Sequence, residues 1–294
     1  MLQAGSVLFD LDGGLVKAER LIAEAAGAGS KLAVFPEAFL TGYPRGADFG
    51  ALLGSRSEEG RASFRHYFEN AIEVPGPATR RIGESVRTHG LWVVMGVIER
   101  DGGTLYCTVL FFSPDGTLAG KHRKLMPTAL ERIIWGFGDG STLPVLDTGF
   151  GRMGAVICWE NYMPLLRTTM YGKGIQLYCA PTVDDREVWQ STMRHIAVEG
   201  RCYVLAACQY ARLGESPRQV IRGGSVIVGP MGEVLAGPVY DAEAILTAEV
   251  SLDRIIEGKF DLDVVGHYAR PDVFQLRVNE APQTAVRPVE VEDK

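Results

Sequence analysis

The chain has 294 residues, 46% hydrophobic and 22% charged, with a formal net charge of −6. This is a globular composition with enough chain for a sizeable core, and its negative balance argues against a nucleic-acid partner. The longest apolar run, Leu91–Ile98, is too short for a membrane span, no secretory signal opens the chain, and five cysteines without a CxxC pair suit neither disulfides nor zinc, so a cytoplasmic protein with reduced thiols is expected.

In chain order, Leu15, Leu21, Ile22 and Ala25 share one face of a helix that Asp10 or Asp12 would cap. Leu32–Phe35 reads as a buried strand running into Pro36-Glu37. Pro77 opens the next helix and Gly90 closes it. Leu91–Arg100 and Leu105–Phe112 form a strand pair around Asp101-Gly102-Gly103, and Ser113–Gly116 turns the chain into Leu118–Lys124. Two further strands flank the turn at Gly149–Gly151, the second ending at Cys158, and Met163–Lys173 is helical. Ile175–Pro181 is a strand. Arg186–Glu199 is a helix with Trp189, Met193, Ile196 and Ala197 on one side, and Cys202–Tyr210 is another strand. Ser225–Pro238 reads as a hairpin, Ala244–Leu252 as a strand and Leu252–Phe260 as a short helix. Hairpins mixed with strand–helix–strand units imply a single-domain, layered α/β or α+β fold with mixed sheets and outer helices. Residues after Asp272, rich in Pro, Val and Glu, read as a tail.

Two patterns mislead. Gly149, Gly151 and Gly154 have G-x-G-x-x-G spacing, but they precede a strand instead of opening a helix, so they mark a hairpin. Gly223–Ile227 imitates a nucleophile elbow but lacks its last glycine and its helix. The histidines, His66, His89, His122, His195 and His267, are scattered with no H-x-x-x-H pair, and no metal is expected.

Three apolar segments finish in a reactive side chain: Glu37, Lys124, and Cys158 with Glu160 close behind. Strand ends of a mixed sheet converge on a rim where sites are built. There a carboxylate can take a thiol proton, an ammonium favours the thiolate, and the thiolate attacks an electrophilic carbon. Bland readings compete. A lone cysteine closing an apolar run is more often core. Glu37 could start a helix, and Lys124 could belong to a solvated basic cluster, Lys121–Lys124. A Cys–His pair would use His122 or His195 as base. Composition and periodicity leave these alternatives open.

FPEAFLTGYPRGADFG (Phe35–Gly50), KHRKLMPTALERIIWGFGDGS (Lys121–Ser141) and ICWENYMPLLR (Ile157–Arg167) resemble the three signature blocks of the nitrilase superfamily of carbon–nitrogen hydrolases. The likeness is greatest to the true nitrilase branch, plant-type and related bacterial. Val94–Phe112, Tyr178–Leu205 and Asp263–Phe274 agree with it, so the resemblance runs along nearly the whole chain. It implies a four-layer α-β-β-α sandwich, with a hydrolase domain over residues 1–272; the tail, 273–294, is read as an oligomerisation arm or a partly flexible end. It also implies Glu37 as general base, Lys124 as cationic stabiliser, Cys158 as nucleophile, and Glu131 orienting lysine and substrate.

No cofactor is implied, and a homodimer or larger homo-oligomer is. The implied reaction converts an organic nitrile to the carboxylic acid and ammonia through a thioimidate and a thioester, with some amide released. Tyr43, Trp159, Thr182, Val183 and Trp189 are candidates for the substrate pocket, Trp189 being equally readable as core. An amidase of the same superfamily and a non-catalytic scaffold are the rival functions. The ERIIWGFGDGS and CWEN blocks favour nitrilase over amidase, and the four retained site residues argue against a scaffold. Two departures stand out. Little precedes Leu2-Gln3-Ala4, so a short or missing first strand is expected, and Ala211–Ile221 is shorter than the plant-type loop.

Overall fold

The computed structural model describes residues 1–212 and 219–286; most of the Ala211–Ile221 loop and the end of the tail lie outside the described residues. Strand β1 (Leu2–Gln3) leads to α1 (Leu11–Gly27), where the Asp10 side chain accepts the Gly13 N–H at 2.9 Å. Next come β2 (Leu32–Val34), a small hairpin of β3 (Ala51–Leu52) and β4 (Ser55–Arg56), and α2 (Glu58–Glu69). Helix α3 (Pro77–His89) begins on proline and ends at Gly90, whose φ of 68° is the left-handed cap glycine favours. A meander follows: β5 (Trp92–Asp101), β6 (Thr104–Phe112) and β7 (Leu118–Arg123). The second half runs β8 (Leu146–Asp147), β9 (Arg152–Ala155), α4 (Pro164–Gly172), β10 (Leu177–Cys179), α5 (Glu187–Gly200) and β11 (Tyr203–Ala206). It closes with β12 (Tyr210–Arg212), β13 (Gln219–Val228), β14 (Val234–Tyr240), β15 (Ala244–Ile245) and α6 (Leu252–Asp261).

Two mixed sheets result. One has the order β2-β5-β6-β7, with β2 and β5 parallel. The other has the order β12-β13-β11-β10-β9-β8, with β9, β10 and β11 parallel and β14 added beside β13. Alternation along each strand decides the layers. In β5, Val94 and Ile98 face Met153, Cys179 and Ile227 of the other sheet. Val93, Met95 and Val97 face Leu15, Ala18 and Ile22 of α1 and Ile82 and Val86 of α3. In the second sheet Tyr178, Val204, Val226 and Val228 point outward onto Met170 of α4 and onto Trp189, Met193 and Ile196 of α5. Both faces of each sheet are therefore apolar, and the molecule is a single-domain α-β-β-α sandwich. Among the described residues no helix is long and apolar enough to cross a membrane.

Two expectations need correction, and one helix was not expected. The strand expected over Ala244–Leu252 pairs only at Ala244–Ile245, because its partner β1 is just two residues long. The apolar run ending at Cys158 leaves the strand at Ala155, and Cys158 opens a 3₁₀ turn. Helix α2, for which the sequence reading stated no expectation, buries Gly60 and Tyr67 and packs half-buried Phe64 and Phe68 against the inner core. The first strand is present and short.

Candidate active site

Glu37 stands where the β2 ladder is interrupted. Phe35 N–H bonds Val94 O at 2.8 Å, and the pairing resumes at Leu40 N–H to Gly96 O, 3.1 Å. Between them the chain loops out, with Ala38 at φ 49°. A Cβ on Gly96 would lie 2.1 Å from Pro36 O and 2.8 Å from Glu37 Cα, so glycine is what lets this loop rest on β5. From the opposite sheet, buried Gln209 donates Nε2–H to Glu37 O at 2.7 Å. Both sheets thereby fix this backbone.

Lys124 follows β7, its N–H on Cys107 O (2.8 Å) and its carbonyl accepting Gly138 N–H (2.8 Å). Its ammonium, fully buried, donates to Glu37 Oε1 at 2.7 Å and to Glu131 Oε2 at 2.8 Å. Glu131 sits in a 3₁₀ turn, Ala129–Ile133, and the same Oε2 accepts Thr128 N–H at 2.6 Å. Its Oε1 accepts the Tyr43 hydroxyl at 2.7 Å. Trp135 stands edge-on to Tyr43, with Lys124 Nζ 5.7 Å from its ring centre.

Cys158 holds a left-handed φ of 51°, a conformation that non-glycine residues occupy only when their surroundings impose it. The next residues impose it here. Glu160 Oε2 accepts Ile157 N–H at 2.9 Å, Asn161 Nδ2 donates to Cys158 O at 2.8 Å, and Cys158 N–H bonds Pro181 O at 2.9 Å. Thr182 Oγ1 accepts Asp184 N–H at 2.9 Å, which leaves its own proton to donate to Cys158 Sγ, 3.1 Å away. A bond of that kind to a charged acceptor contributes about 1.5–3 kcal/mol. Thr182→Val should therefore cut kcat/KM roughly tenfold or more and move the pH profile of Cys158 alkylation upward. An unshifted iodoacetamide profile would contradict this.

Burial raises the Glu37 pKa, with the Glu131 charge adding to it and Lys124 opposing. Burial also pushes the Cys158 thiol well up, helped by Glu37 and opposed by Lys124 and Thr182. Lys124 behaves differently: burial works against its charge, but Glu37 and the neighbouring acids outweigh that and hold it as an ammonium. The resting group is thus a neutral thiol facing a buried carboxylate beside a fixed cation. Glu37 Oε2 has no hydrogen-bond partner among the described residues, so an acceptor is open on that carboxylate. The arrangement can move the thiol proton to Glu37 when an electrophile arrives and hold the negative charge that follows near Lys124.

The remaining candidates divide. Tyr43 and Val183 share a small apolar cluster with Cys208 and Ile221, beside Glu131 and Thr182. Trp159 is 42% exposed; its Nε1–H bonds Asp184 Oδ2 at 2.9 Å, and the Arg186 guanidinium lies 4.7 Å from its ring centre. Trp189 is corrected to core: it is fully buried with the outer helices, on the opposite face of the sheet from Cys158. The Cys–His alternative also falls. His195 is exposed and pairs with Glu199, while the buried His122 ring spans Thr142 O (2.6 Å) and Glu160 Oε2 (3.0 Å).

Cys107 is not among the residues singled out from the sequence, yet its Sγ lies 3.6 Å from Glu37 Oε1. The signal was available in the hairpin register: one step beyond Thr108↔Arg123, Cys107 stands opposite Lys124. Gln209, from the far sheet, carried no such signal.

The chain matches the carbon–nitrogen hydrolase family over residues 1–260. It is 57% identical over 298 residues to an aliphatic nitrilase of Sinorhizobium fredii (strain HH103), covering 97% of this chain and 96% of that one. It is 55% identical over 306 residues to the bifunctional nitrilase/nitrile hydratase NIT4A of Nicotiana tabacum, covering 98% and 87%. Its fold is similar to that of Saccharomyces cerevisiae Nit3, a member of branch 10 of the nitrilase superfamily, with TM-score 0.74, 24% identity and coverage of 90% and 93%. The chain belongs to the carbon–nitrogen hydrolase family, in its nitrilase branch.

Proposed function

We propose that this protein is a nitrilase that hydrolyses an organic nitrile to the carboxylic acid and ammonia, with Cys158 as nucleophile. The observation that carries the reading is the buried constellation of Glu37, Lys124, Glu131 and Cys158, in a chain more than half identical to proteins named as nitrilases. Glu37 takes the thiol proton as Cys158 Sγ adds to the nitrile carbon and passes it to the nitrile nitrogen, giving a thioimidate and restoring the carboxylate. Lys124 and the Trp159 backbone N–H face the nitrogen as it gains charge. Water, activated by Glu37, adds to the thioimidate; the tetrahedral intermediate expels ammonia and leaves a thioester. A second water releases the acid and restores the thiol. Expulsion of the thiol at the tetrahedral stage would give the amide instead, in keeping with the bifunctional name of the tobacco relative. Thr182 steadies sulfur, and Tyr43 with Val183 forms part of the substrate wall.

A matched nitrile and amide pair tests the reaction class. Ammonia from the nitrile, with acid as main product, is expected; activity on the amide alone would make the protein an amidase, and none on broad panels of both would favour a scaffold.

The protein is proposed to act in the cytoplasm as a homodimer or larger homo-oligomer. The domain is taken to span residues 1–272, with residues 273–294 serving as an assembly arm. Exposed Val273 and Phe274 support that role, while Glu280 to Lys173 (3.0 Å) and Gln283 N–H to Asp139 (2.8 Å) tie part of the tail to the surface. Light scattering of a chain cut after Asp272 should show a smaller assembly than the full chain, and equal masses would refute the arm.

A further inference from the structure

One carboxylate outside the reacting group touches both segments that carry it. Glu160 Oε1 accepts the N–H of Leu125, the residue after Lys124, at 2.7 Å. Its Oε2 accepts the N–H of Ile157, the residue before Cys158, at 2.9 Å, and also meets His122 Nε2 at 3.0 Å. Lys124 follows a strand of one sheet and Cys158 lies beyond a strand of the other, so Glu160 bridges the two layers at the site. His122 and Glu160 side chains are fully buried, where an unpaired carboxylate would be costly. The imidazole supplies the balance. Its Nδ1 faces Thr142 O, which can only accept, and its Nε2 faces a carboxylate oxygen, so both ring nitrogens carry protons.

We propose that Glu160 and His122 form a buried carboxylate–imidazolium brace that fixes the separation of Lys124 and Cys158, so that Glu160 and His122 are positioning residues for the nitrile hydrolysis above, on which this inference rests. The electrostatics agree. Burial works to lower the His122 pKa, but the Glu160 charge, the hydrogen bond between them and the Thr142 carbonyl outweigh it and hold the value above that of an ordinary histidine. The other titratable groups that sense Glu160, Cys107 of β6 and Tyr178 of β10, are kept neutral chiefly by burial. The imidazolium therefore has one charged partner.

Glu160→Gln removes the charge and turns an NH₂ toward one of three N–H donors. Displacement of reacting groups by about 1 Å costs roughly 10²-fold. Per active site titrated by Cys158 labelling, E160Q should lose about 10²-fold in kcat with KM held within about threefold. His122→Asn should move both values the same way. A folded E160Q with kcat within threefold of wild type would overturn the brace.

Wild-type protein supplies a readout free of folding risk. Among its five histidines, ¹⁵N labelling should reveal one slowly exchanging ring protonated on both nitrogens at pH 8; finding none overturns the proposal. If wild type hydrolyses no nitrile, the parent reading fails separately. The brace is then read from iodoacetamide alkylation of Cys158, which E160Q should slow about tenfold. Unchanged alkylation would refute it.

Discussion

Cys158→Ala is expected to abolish ammonia release from nitriles, with a loss on the order of 10⁴-fold or more, while the fold survives. Removing the nucleophile of a covalent mechanism costs that much, because the remaining groups act as a unit around it. The fold should persist because the left-handed turn at Cys158 is held by Glu160, Asn161 and Pro181 O, none of which needs the sulfur. Cys107 is not expected to take over, because it sits within β6 with its backbone committed to the ladder beside Lys124. Steady-state kinetics beside circular dichroism check both halves of the expectation. Native-like structure with turnover reduced less than about a hundredfold would refute the covalent scheme.

Lys124→Met should be less damaging to activity than loss of the nucleophile and more damaging to stability. The ammonium is shared by Glu37 and Glu131, and loss of such a charge stabiliser costs about 10²–10³-fold in kcat. Breaking a buried ion pair also costs about 3–5 kcal/mol, because the partner carboxylates stay in place. The sign of the pH dependence follows from Glu37. Its pKa is raised on folding by burial, and removing Lys124 takes away the main opposing influence, so it rises further. A carboxyl group with a raised folded pKa favours the folded state below its unfolded value, and that contribution is lost as pH rises through the folded value. Melting temperatures should therefore show a larger deficit for the variant at pH 8 than at pH 5. An equal deficit would mean that Lys124 does not hold Glu37 as described.

Much of the fold was legible because its signals are local. Asp10, Pro77 and Gly90 mark helix ends through capping chemistry, and the two-residue Gly102-Gly103 turn sets the register of β5 against β6. The layers were harder to read. Strands such as Trp92–Ile98 are apolar on both faces, and only the tertiary structure divides Val94 from Val93 between the inner layer and the helices. Trp189 shows the same limit: its helix face was legible, but not which side of the sheet that face covers.

For the site, residue types near strand ends pointed to Glu37, Lys124 and Cys158, and the motif resemblance joined them. The supporting groups were not legible, because their partners are remote in sequence. Gln209 reaches Glu37 across 172 positions, and Glu160 reaches Leu125 across 35. Thr182 was a candidate for the substrate wall; its hydroxyl instead points at the sulfur, a relation set by the parallel ladder that continues past β9 and β10.

The central claim is that nitrile carbon becomes bonded to Cys158 Sγ. Rapid quenching of wild-type protein during turnover of a nitrile, followed by intact mass and peptide mapping, tests it directly. An adduct with the mass of the thioimidate or the acyl group is expected on the peptide carrying Cys158, formed and discharged at the rate of ammonia release. An adduct on the Cys107 peptide, or steady turnover with no adduct and undiminished activity in Cys158→Ala, would contradict it.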